Sequence, residues 1–99
     1  MPHFLHVAMN FRSGTPKMKE LEPIFDGAID WLRYAPNCWI VWTSRNPIEW
    51  HAKLHPHLGP DDTMLIVEIN MANRYGWLGE NLWAWMSRDR RMMRQTDHY

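Results

Sequence analysis

The run Asn37-Cys38-Trp39-Ile40-Val41-Trp42-Thr43-Ser44 constrains the fold more than any other part of the chain. It is continuously apolar, β-branched or aromatic, and turn residues bound it on both sides. Such a run is a strand whose two faces can both be covered. Pro36-Asn37 punctuates its start and Asn46-Pro47 its end. Period-two alternation puts Trp39, Val41 and Thr43 on one face and Cys38, Ile40 and Trp42 on the other.

Upstream, His3 to Phe11 alternates as a first strand. Phe4, His6, Ala8 and Asn10 face one way, while Leu5, Val7, Met9 and Phe11 form an apolar face. Arg12 to Pro16 is a loop, with Thr15 as N-cap and Pro16 at the first helical position of a helix over Lys17 to Phe25. Met18, Leu21, Ile24 and Phe25 share its buried face, and Pro23 kinks or shortens it. Residues 28–35 admit two readings: a continuation of that helix through Leu32, or a strand joined to the organising strand by a turn at Pro36-Asn37. The strand is the better fit. Asn46 as N-cap, Pro47 in the first turn and Glu49 three residues after the cap open a second helix, with Trp50, Leu54 and Leu58 as its buried stripe. Pro56 ends it near His55, and Gly59-Pro60-Asp61-Asp62 turns the chain. Residues 63–70 alternate as a last strand with Leu65, Val67 and Ile69 toward the core. Gly79-Glu80-Asn81 opens a terminal helix in which Leu82, Trp85 and Met86 share a face.

Strands near residues 3–11, 28–35, 38–44 and 63–70 with two intervening helices give the order βαββαβ. The expected fold is therefore α+β and ferredoxin-like: a four-stranded antiparallel sheet, two helices on one face, and an additional C-terminal helix. Residues 1–87 form this domain, and residues 88–99 a basic tail, helical at its start and then disordered.

A chain of 99 residues fits one domain with a modest core. Its 11 basic side chains balance 11 acidic ones, so nothing draws the whole molecule to nucleic acid or to an anionic membrane. A single cysteine excludes an internal disulfide, and Cys38 reads as a small buried hydrophobe. No apolar run is long enough for a membrane helix, and Met1-Pro2-His3-Phe4 lacks the start of a signal peptide, so a cytoplasmic protein with no membrane partner is expected.

Few residues carry recognisable chemistry. His51 and His55 lie one helical turn apart and could share an ion, but no third ligand accompanies them; a solvated helix face is the simpler reading, and no metal is expected. No Ser-His-Asp set or glycine-rich phosphate loop is present, and Gly76-x-x-Gly79 is a turn before a helix. A non-catalytic binding or interaction protein without a cofactor follows. Seven tryptophans exceed what so small a core encloses, so some of Trp42, Trp50, Trp77 and Trp83 should be exposed or lie at an interface. Trp42, Trp77 and Trp83 are the interface candidates for a symmetric homodimer or for a protein partner. Arg88, Arg90, Arg91 and Arg94 are candidates for contacts to nucleic-acid phosphates, although the helix dipole and solubility are the better-fitting reading of such a cluster.

Several stretches together resemble the SinR-like family of small bacterial proteins, a label unrelated to the helix-turn-helix repressor of the same name. They are Trp31-x-x-Tyr34, Trp39-Ile40-Val41 ending in Thr43, the helix closing on Leu54 and Leu58, Asp61-Asp62, Met64-Leu65-Ile66-Val67, and Gly76-Trp77-Leu78 ahead of Trp83-x-Trp85. The likeness spans about Phe4 to Met86. It implies a ferredoxin-like fold similar to that of CRISPR-associated adaptation proteins and VapD toxins, commonly symmetric dimers. It also implies a role near mobile elements, phage or defence systems. Some of those relatives cleave RNA or DNA with Mg²⁺ or Mn²⁺ held by an aspartate that ends the first strand. Here that position is Asn10, with His6 and Ser13 as the remaining polar candidates; an amide lacks the charge that a hard cation draws from carboxylates.

Overall fold

The computed structural model describes residues 1–12, 14 and 18–98. The chain is α+β: β1 (His3–Asn10), α1 (Met18–Phe25), β2 (Asp30–Ala35), β3 (Cys38–Thr43), α2 (Pro47–Leu54), a 3₁₀ turn (His55–His57), β4 (Thr63–Ile69) and α3 (Glu80–Met86). The four strands form one antiparallel sheet in the order β2-β3-β1-β4. The organising strand is β3, and residues 30–35 form the strand and hairpin partner expected of them. Residues Ser13, Thr15, Pro16 and Lys17, including the expected N-cap and first turn of α1, lie outside the described residues.

Local chemistry explains the elements. In α2 the Asn46 side chain accepts from the Glu49 N–H and Glu49 reaches back to the Asn46 N–H, closing the capping box that the spacing predicts. Pro56 leaves only a 3₁₀ turn beyond Leu54. Pro23 sits inside α1, which ends two residues later at Phe25.

One sheet face packs against α1 and α2. Leu5, Val7, Trp39 and Val41 of the sheet are fully buried there with Phe25, Trp50 and Leu54. Phe25 is the centre of this core: its ring stacks on Trp39 at 4.8 Å and on Trp50 at 5.9 Å between centroids. Among the described residues Thr43 is the one fully buried polar residue, and its hydroxyl accepts from Trp50 Nε1 at 2.9 Å.

On the face opposite α1 and α2, α3 crosses the sheet and buries Trp85 and Met86 against Ile40, with Phe4, Leu32, Tyr34 and Ile69 packed around them. One expectation needs correction. In β4 the orientation is the reverse of that expected: Met64 and Ile66 turn toward the main core, whereas Leu65 is 62% and Val67 43% exposed. Pairing with β1 sets this, since Ala8 faces Leu65 and His6 faces Val67, so those side chains follow the His6 face beyond the reach of α3.

Residues 88–98 form turns rather than a helix, and they are tied to the domain rather than free of it. Arg94 donates to Ala28 O at 2.8 Å, the His98 N–H to Gly27 O at 2.7 Å, and the Asp97 carboxylate accepts from the Thr43 hydroxyl and from the N–H and hydroxyl of Ser44.

Candidate functional site

At the end of β1, Asn10 is exposed and pairs across to Thr63 of β4, at the rim of a shallow pocket that also includes Ala8 and Leu65. The acid nearest in the chain to this corner, Asp62, accepts the Arg12 N–H and the Gly59 N–H, both at 2.7 Å, and so closes the turn before β4. His6 does not join Asn10. Its Nε2 bonds instead to the Tyr34 hydroxyl of β2, across β3. Burial lowers the His6 pKa and raises that of Tyr34, which also feels Cys38. The neutral imidazole is therefore favoured, suited to accept a hydrogen bond from the phenolic hydroxyl. Ser13 lies outside the described residues.

The His51 and His55 rings stack with centroids 4.9 Å apart on the exposed side of α2. Among the described residues, no group of three or more His, Cys, Asp or Glu side chains is placed to hold a metal ion.

The interface candidates separate. Trp42 is half-buried, its ring 4.6 Å from that of Phe4; Trp83 is half-buried in the α3 cluster; Trp77 is 99% exposed. Trp50, also a candidate for exposure, is fully buried.

The four arginines separate too. Arg90 is drawn inward, with 8% of its side chain exposed. Its guanidinium lies 4.4 Å from the Trp85 ring centroid, 5.1 Å from Phe4 and 5.8 Å from Trp42, and it donates to Trp85 O at 2.8 Å, capping the end of α3. Asp30 balances it at 3.5 Å and also receives Arg88 at 3.0 Å. Burial lowers the Arg90 pKa and Asp30 opposes this, while Arg88 and Arg74 lower it further. Arg91 is 89% exposed and pairs with Asp89 at 2.8 Å. Arg94 is held by Ala28 O.

Sequence reasoning missed Asp30 and Asp97 as anchors, and Arg74 and Tyr75 as surface features. The anchors have no local signature, since each partner lies more than fifty residues away. Tyr75 carried a signal: an aromatic in a polar, glycine-ended loop has no periodic partner to bury it.

Compared with the models of known protein families, with characterised proteins and with solved structures, the chain matches none. No helix among the described residues is long and apolar enough to cross a membrane.

Proposed function

We propose that this chain is a non-catalytic binding protein of the cytoplasm, that it works as a symmetric homodimer, and that its fold is the ferredoxin-like one of the SinR-like family. Two features support the fold assignment: counted from the other edge the strand order is 4-1-3-2, and both crossover helices pack on one sheet face.

The observation that carries the dimer is the free edge of β4. Natural sheets guard exposed edges with lysine, proline, bulges or very short strands. Between Thr63 and Ile69, β4 has only Glu68 as a charged side chain, and no proline. Leu65 and Val67 stand exposed beside it, and Ile48 of α2, 78% exposed, closes an apolar groove of about 350 Å³ with Pro47, His51, Met64, Leu65 and Ile66. The opposite edge, β2, presents Arg33. Isologous pairing of β4 with its copy would satisfy the open backbone groups and cover the apolar residues at once.

Light scattering at tens of micromolar should give twice the 11.9 kDa chain mass, and Leu65→Lys with Val67→Lys should give the single-chain mass. A wild-type monomer would sink the dimer. Labelled single- and double-stranded RNA and DNA should survive incubation with the protein in Mg²⁺ or Mn²⁺. Cleavage that is lost in Asn10→Ala would replace this reading with that of a metal-dependent nuclease.

A further inference from the structure

The loop between β4 and α3 exposes two aromatic rings that do nothing for the fold of the chain carrying them. Tyr75 is 103% and Trp77 99% exposed, whereas the other six tryptophans are buried or half-buried. The base of the loop is nonetheless held. Arg74 donates to Met71 O at 3.0 Å and to Ser87 Oγ at 2.8 Å, which ties the loop to the end of α3, and the Ala72 N–H donates to Asn70 Oδ1 at 2.9 Å. The rings therefore project from an anchored segment. Cations belong to the same region: Arg74 adjoins Tyr75 in the chain, Arg88 follows the serine that Arg74 contacts, and Arg74 and Arg88 both lie near enough to Arg90 to act on it electrostatically, with Asp30 the carboxylate paired to Arg88 and Arg90. The indole N–H groups of Trp42 and Trp85 and the Nε of Arg90 are buried without an acceptor.

From this we infer that loop 70–79 and the end of α3 form a binding site for single-stranded nucleic acid, in which bases stack on Tyr75 and Trp77 and phosphates pass Arg74 and Arg88. Stacking on a free ring needs an unpaired base face, which a duplex offers only at its ends. Residues 75 and 77 are at most about 7 Å apart along the chain, so neighbouring bases of one strand can reach both rings. Guanidiniums supply the sequence-independent contact to the backbone. An apolar protein partner would fit the β4 edge better, because the loop that carries these rings also carries Arg74. The Arg90 and Arg94 side chains are engaged within the fold and take no part. The inference rests on the reading of this chain as a binding protein and not on its dimerisation.

The test is fluorescence anisotropy of a labelled oligothymidylate and an oligouridylate, each about 12 nucleotides long, at low salt. Binding should quench tryptophan emission, should be weaker for a duplex of equal length, and should fall progressively between about 50 and 200 mM salt. Trp77→Ala and Tyr75→Ala should each weaken it roughly 5- to 150-fold. Both side chains are fully exposed, so the melting temperature should not move. Arg74→Ala should weaken binding and lessen its salt dependence, because a phosphate contact and the tie to Ser87 are lost together. No rise in anisotropy at low salt, or equal binding by the double variant Tyr75→Ala with Trp77→Ala, overturns the site. Loss of the dimer mass in the double variant with nucleic-acid binding unchanged would assign the rings to a protein contact and also overturn it. A monomeric wild type that still binds the oligonucleotides through these rings would overturn the dimer alone.

Discussion

Burial decides the protonation of His6. The ring sits half-buried on the sheet, bonded to the Tyr34 hydroxyl, and desolvation holds its pKa below the ordinary value of 6.5. A folded-state pKa below the unfolded one means that the unfolded chain binds the proton more readily, so acid favours unfolding. The stabilisation is complete above about pH 6.5 and is lost as the pH falls from there toward the lowered folded value. Calorimetric melting of the wild type and of His6→Gln between about pH 7.5 and 5 should show the wild type losing more stability toward acid. Parallel curves would show that His6 contributes nothing to the pH dependence. Alternation placed His6 on its face correctly, but its bond to Tyr34 passes over an intervening strand. Period-two patterning names a face and not a partner two strands away.

The segment after α3 is the element whose role the structure changes most. As a basic tail beyond the last apolar stripe, residues 88–99 would be dispensable to folding. As a strap, residues 88–98 cap α3 through Arg90, cover Phe4 and Trp42, and give the buried Thr43 hydroxyl its acceptor in Asp97. Truncation after Ser87 should therefore destabilise the domain by more than about 2 kcal/mol, and Asp97→Ala alone by about 1–3 kcal/mol, because buried groups lose their partners. Urea midpoints check both, and an unchanged midpoint on truncation would return the segment to the status of a tail. The capping box of α2 and the Pro36-Asn37 turn were legible because each is encoded within a few residues. The inward face of β4 was not. Its two sides, Met64 and Ile66 against Leu65 and Val67, are both apolar, so only pairing with β1 chooses between them.

For the whole molecule, the α+β class and the antiparallel sheet could be read from four strand-like runs and two helical ones, because turn residues bound the strands and capping or proline signals mark the helices. What covers each face could not, because α3 reaches the second face by a path that no local spacing describes. The position of β1 has a consequence for how the native state is reached. The first strand made lies in the interior of the sheet, between β3 and β4, and Phe4 must wait for Trp42 on one side and Ile69 on the other. The β2–β3 hairpin closes locally, but it supplies only half of the sheet, and the remaining pairings close loops that span much of the chain. Refolding from urea should thus be limited by distant strand pairing and take milliseconds to seconds, the range of sheet-rich domains rather than of helical bundles. Stopped-flow recovery of tryptophan fluorescence in microseconds would mean that Phe25 gathers Trp39 and Trp50 before β1 has found its place.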